Sequence, residues 1–97
     1  MEEANNGAAS PVSLALYMTS WCRFCASVVA AADRLGSEIV LRDIDANSDW
    51  REELVTGTGR ETVPCLRIED PSGAVTWMHE SRDIIRCLGE HSTPGSG

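Results

Sequence analysis

The sequence has no lysine. All eight of its basic residues are arginine, and they face fifteen acidic ones, for a net charge of −7. A surface of that sign repels phosphate backbones and anionic lipid, so nucleic acid and membrane surfaces are not expected partners. Aromatic residues are scarce too: one Phe, one Tyr and three Trp among 97 residues. No apolar run approaches the roughly 20 residues that a spanning helix needs, which excludes a helical membrane span. Nor does the start, Met1-Glu2-Glu3-Ala4-Asn5-Asn6, read as a basic and then apolar leader. The expectation is a cytoplasmic protein whose four cysteines begin as thiols. There is no internal repeat, and the length allows one domain.

What is present is a folded unit between two tails. Residues 1–10 and 92–97 are small, polar and linker-like, so the domain is placed at 11–91. Leu14-Ala15-Leu16-Tyr17, preceded by Val12, reads as a strand buried on both faces. Thr19-Ser20 offers capping residues for a helix in which Phe24, Val28, Ala31, Ala32 and Leu35 share one face and Gly36 marks the end. Ile39-Val40-Leu41 reads as a second buried strand. Asn47-Ser48-Asp49 caps a second helix, with Trp50 and Leu54 stacked on it and Gly57 and Gly59 ending it. Cys65 to Ile68 and Ala74 to Trp77 form a hairpin around the turn Asp70-Pro71-Ser72-Gly73. A last helix, capped by Ser81 and stopped by Gly89, carries Ile84, Ile85 and Leu88. The order β-α-β-α-β-β-α predicts an α/β fold: a four-stranded mixed sheet flanked by helices.

Chemistry concentrates in Cys22-Arg23-Phe24-Cys25. The same spacing serves zinc knuckles, so placement decides. Here it follows a buried strand and opens a helix. Unpaired N–H groups and the positive end of the helix dipole favour thiolate over thiol at Cys22. Cys25 lies about one turn deeper on the same face. It can reach Cys22 to close a disulfide yet is more shielded. Cys22 is therefore read as the nucleophile and Cys25 as the resolving thiol. A zinc site would need two more ligands from Cys65, Cys87, His79 and His91, which form no second pair of that spacing; no metal ligands are assigned.

Thr19-Ser20-Trp21-Cys22-Arg23-Phe24-Cys25, Thr62-Val63-Pro64 and the element order together resemble the glutaredoxin family, with its thioredoxin-like fold, over about residues 12–90. Trp21-Cys22 and Asp43-Ile44-Asp45 are similar to the mycoredoxin and NrdH-like branches. Glu80-Ser81-Arg82-Asp83-Ile84 resembles the glutathione-transferase N-terminal domain, which shares the fold. The resemblance implies a thiol–disulfide oxidoreductase that reduces disulfides or glutathione mixed disulfides. It implies a cis Val63–Pro64 bond beside Cys22, so that Val63 pairs with extended glutathione. The γ-glutamyl carboxylate would dock at Glu80 and Ser81, and Arg60 and Thr62 stand near the place of the glycine carboxylate. Trp21 is assigned to the substrate groove.

The chain departs from the family where Thr19 replaces a Lys, Arg23-Phe24 replaces Pro-Tyr, and His79-Glu80-Ser81 replaces Gly-Gly. Glu61 also sits beside Thr62-Val63-Pro64. The expected partners are glutathione or another low-molecular-weight thiol and disulfide-containing proteins, with a monomeric chain and no bound organic cofactor. Two alternatives stay open: a redoxin linked to thioredoxin reductase or mycothiol, and a carrier of a glutathione-ligated [2Fe–2S] cluster. Cys65 and Cys87 are read as packing residues, as are Trp50 and Trp77. His79 could serve as a base near the sulfur, but a surface loop is the expected place.

Overall fold

The computed structural model describes residues 12–91. The expected tails, 1–10 and 92–97, lie outside the described residues, as does Pro11. Strand β1 (Ser13–Met18) leads into helix α1 (Arg23–Leu35), followed by β2 (Val40–Asp43), α2 (Ser48–Thr58), β3 (Cys65–Glu69), β4 (Val75–Met78) and α3 (Ser81–His91). The sheet order is β2-β1-β3-β4. β1 runs parallel to β2, pairing Leu16 with Leu41, and antiparallel to β3, pairing Leu16 with Leu66. β3 and β4 form the hairpin, with Leu66 opposite Met78. The order of elements and the mixed sheet are as the sequence predicts.

Alternation along the strands builds two cores. Leu14 and Leu16 of β1 and Leu66 of β3 face α1 and α3, where Val28, Ala32, Ile84, Cys87 and Leu88 close over them. Tyr17 and Cys65 face the other way, against Ile44 and Leu54, with Trp50, Val63 and Trp77 at the margin. Each large apolar side chain so enclosed contributes about 1.5–3 kcal/mol. Small residues on α1 let it lie close to the sheet and to α3.

Several local expectations change. Ile39-Val40-Leu41 is apolar enough for a central strand, but β2 is an edge. Val40 and Leu41 are 56% and 44% exposed, because hydrophobicity alone does not tell an edge from a centre. Phe24 is 60% exposed, and the buried stripe of α1 starts at Cys25 instead. The cap of α1 is Cys22 itself rather than Thr19 or Ser20. Gly57 lies inside α2, which ends on left-handed Gly59 at φ 82°. α3 continues past Gly89 to His91. Ser81 is the first residue of that helix rather than its cap, since Ile84 N–H donates to the Glu80 carbonyl at 2.8 Å.

Gly57 is a steric requirement: a Cβ there would run into the Trp77 indole. At Gly89 a Cβ meets nothing within 4 Å. Alanine should therefore act in opposite directions. Gly57→Ala is expected to lower stability by about 1–3 kcal/mol despite better helix propensity. Gly89→Ala should raise it by about 0.5–1 kcal/mol. Denaturant midpoints of the two variants check this.

Candidate active site at the head of the first helix

The turn from β1 into α1 is closed by the cysteine pair. Cys22 N–H donates to the Thr19 carbonyl at 3.3 Å, and the Cys22 carbonyl takes Ala26 N–H at 3.0 Å. Cys22 stands in extended backbone at φ −84° and ψ 119°, and its Sγ accepts the Cys25 N–H at 3.2 Å. The side chain that would do the chemistry thus satisfies one of the orphan donors of the helix start. Cys22 is half-exposed, whereas Cys25 is completely buried. Burial, reinforced by a hydrogen bond to Cys22, pushes the Cys25 thiol up to about 12. All four cysteines are free thiols.

Across from this turn, the Val63–Pro64 bond is cis. Pro64 and Val63 join Phe24, His79, Glu80 and Ser81 around a cavity of about 210 Å³. The structure therefore gathers four of the expected site residues, Val63, Pro64, Glu80 and Ser81, next to α1. Arg60 and Thr62 are exposed and do not line this cavity. Arg60 still acts at a distance, since its charge bears on both Cys65 and His79.

Trp21 is also outside the cavity. It is 75% exposed, and its Nε1 donates to Asp45 at 2.9 Å. Arg51 donates to the other Asp45 oxygen at 3.1 Å and stands 3.9 Å from Glu61. The carboxylate of Glu61, beside the cis-proline loop, thus has a guanidinium opposite it.

Two wall residues depart from the sequence expectation. Phe24, expected on the core face, lines the cavity from the first turn of α1. His79 is half-buried rather than on a surface loop, and its Nε2 is enclosed without a partner. Burial, aided by the Arg60 charge, holds its imidazole below the usual range. The one available signal was its position just before a helix start that faces the cysteines.

The remaining thiols pack. Cys65 is fully enclosed, and burial pushes it up to about 11. Cys87 is buried between α3 and the sheet, and burial raises it as well. Trp77 packs against Tyr17 at 5.6 Å between ring centres. Among the described residues, no group of three or more His, Cys, Asp or Glu side chains is placed to hold a metal ion. No helix among them is long and apolar enough to cross a membrane.

The glutaredoxin family model matches residues 14–71, more than half of the chain. No curated protein sequence matches it. Among solved structures, a glutaredoxin from Brucella melitensis is 25% identical with a TM-score of 0.55, over 87% of this chain and 85% of its own. Maleylacetoacetate isomerase from Anaeromyxobacter dehalogenans is 22% identical with a TM-score of 0.61 over 84% of this chain, which spans only 37% of that protein's length. Another structure of that isomerase, 23% identical, has GSH bound in its active site. The germline-specific thioredoxin Deadhead of Drosophila melanogaster, 11% identical with a TM-score of 0.59 over 82% of this chain and 80% of its own, shares the fold. The sheet is thioredoxin-like, and the chain belongs to the glutaredoxin family of thiol–disulfide oxidoreductases.

Proposed function

We propose that the chain reduces glutathione mixed disulfides and other disulfides, with Cys22 as the attacking sulfur and Cys25 as the resolving thiol. One observation carries the reading: a half-exposed cysteine caps a helix while a second, three residues on, is sealed in the interior, and Phe24 between them shares a cavity with the cis Val63–Pro64 bond. The Cys22 thiolate attacks one sulfur of the substrate, that S–S bond breaks, and the departing thiolate takes a proton from water. Cys22 is left in a mixed disulfide. A second glutathione then attacks the glutathione sulfur of that mixed disulfide, giving oxidised glutathione and freeing the Cys22 thiolate; alternatively Cys25 attacks the Cys22 sulfur, closing the Cys22–Cys25 disulfide and releasing the bound half as a thiol.

The cavity beside the cis bond suits the tripeptide. Val63 offers a backbone N–H and C=O to an extended chain, as an added strand. At the start of α3 the first N–H groups precede any helical acceptor, so a carboxylate is stabilised at Glu80 and Ser81. The GSH-bound isomerase supports a glutathione site on this fold. Arg60 and Thr62, exposed and outside the cavity lining, would meet a second carboxylate through the Arg60 charge, and Trp21 would flank the approach to Cys22. The exposed aromatic surfaces of Trp21 and Phe24, on either side of Cys22 in sequence, favour polypeptide disulfides as further substrates.

Wild type is expected to reduce a small glutathione mixed disulfide in an assay coupled to glutathione reductase. Cys22→Ser should be inactive and Cys25→Ser should retain turnover. Activity that depends instead on thioredoxin reductase or mycothiol would overturn the glutathione reading, and indifference to Cys22→Ser would overturn the nucleophile assignment. Ser81→Ala should raise KM for the glutathione substrate about tenfold with kcat nearly unchanged, the loss of one hydrogen bond to a charged group. Iodoacetamide at neutral pH should label Cys22 alone in the folded protein and all four cysteines in denaturant, as counted by intact mass.

A further inference from the structure

The edge strand β2 takes no part in the redox site. It pairs with β1 along one side only, so its outer row of N–H and C=O groups has no strand beside it among the described residues. Proteins shield such edges with lysine, proline, a bulge or a covering element. β2 has no lysine or proline, and its register with β1 runs unbroken from Val40 to Asp43. Its apolar side chains are open as well. Leu41 is opposite Leu16 and faces the α1 side, whereas Val40 and Arg42 share the α2 side with Tyr17. Both Val40 and Leu41 are exposed, so neither α1 nor α2 covers them. The other edge, β4, differs: Val75 is exposed, but Trp77 and Met78 are half-buried.

The residues along this edge, Glu38-Ile39-Val40-Leu41-Arg42, are complementary to themselves. Two identical strands can pair antiparallel about a two-fold axis normal to the sheet, and residues that face the same side then stand opposite each other. The axis must therefore fall at a residue. With the axis at Val40, Val40 meets its own copy, Ile39 meets Leu41, and Glu38 meets Arg42. An axis at Leu41 sets Arg42 against Val40 and Asp43 against Ile39. At Arg42 it opposes two guanidiniums, and at Ile39 it sets Glu38 against Val40. Only the Val40 register matches apolar with apolar and acid with base throughout. The side chains are placed for it. Glu38 is exposed. Arg42 bonds the Tyr17 oxygen and Glu53 through Nη1 alone, so those bonds leave the donors on Nη2 and Nε unused.

We propose that β2 is the docking edge for a second copy of this chain, the two strands running antiparallel about Val40 so that the two sheets become one. The monomer expected from the sequence gives way at this edge. Main-chain hydrogen bonds across the new ladder hold the pair, and the two Glu38–Arg42 contacts fix its register. Cys22 follows the end of β1, which runs parallel to β2. The two-fold axis therefore sends the two cysteine pairs to opposite ends of the joined sheet, and both stay open to substrate. A ladder from Glu38 to Arg42 is far short of the roughly 20–30 residues a side of a standard interface, so the dimer is weak and forms with concentration.

Sedimentation velocity of the reduced chain, from about 1 µM to about 1 mM, should show the mass rise from one chain toward two, the range that weak association spans. Over the same series, amide resonances should shift at residues 38–43 and stay still in β4 and around Cys22. Val40→Lys replaces an exposed side chain and brings two ammonium groups together at the axis. It should fold as wild type does and associate at least about tenfold more weakly. Glu38→Arg, which opposes a guanidinium to each Arg42, should weaken association too. A single-chain mass over the whole range would overturn the proposal, as would a Val40→Lys protein that associates like wild type. Concentration-dependent shifts that fall on β4, or around Trp21 and Cys22, would also overturn it, because the copies would then meet through another surface. The amide series needs no variant, so it decides the matter even if a substitution harms the fold.

Discussion

Four residues carry β1 into α1, and the hydrogen bond from Cys25 N–H to the Cys22 sulfur closes that passage. β1 is the central anchor: it is paired on both sides and nearly all of it is buried. The helix that follows therefore starts at a fixed place over the end of the sheet. The sulfur that would react is also an atom of the scaffold, and the second sulfur hangs beneath it in the core. A hydroxyl at position 22 can take over the cap without the reactivity of a thiolate, so fold and chemistry can be separated there.

The sheet presents two unlike faces. Under α1 and α3 it is dry and continuous, from Leu14 to Leu88. Under α2 it is only partly covered, and a cavity of about 840 Å³ opens between α2 and the sheet. Polar groups arrange themselves there. Tyr17 donates to Glu53 at 2.7 Å, Arg42 donates to the Tyr17 oxygen at 2.8 Å, and Arg67 pairs with Glu69 at 2.9 Å while its guanidinium lies over Trp77. Burial, then the bond to Glu53, raises the Tyr17 phenol, which stays neutral and donates. These paired groups satisfy one another at the half-covered edge of the second core.

Much of this was legible in the sequence. Short apolar runs, the Asp70 turn and the Asn47 cap define the elements and their order, because each is a local signal. Asn47 takes Asp49 N–H at 2.8 Å, and Asp70 collects Ser72 and Ala74 N–H at 2.9 and 3.1 Å. The edge position of β2 was hidden, since it depends on what lies beside the strand and not on the strand itself. Phe24 and His79 were misplaced for a related reason. Each sits at an element boundary, where periodicity no longer dictates direction. The cysteine spacing located the chemistry, but the cavity brings Phe24 together with Val63, Pro64, His79, Glu80 and Ser81, residues about 40 or more positions further along the chain.

Trp21 combines exposure with restraint. Its indole is open to solvent over most of its surface, yet its nitrogen is tied to Asp45, which Arg51 holds in turn. Trp50 and Trp77 are partly enclosed against the second core, which holds Cys65. The three indoles therefore sit in separable optical environments. The one next to Cys22 is a native fluorophore whose emission and quenching follow the state of the neighbouring sulfur and whatever docks over it, with no dye attached.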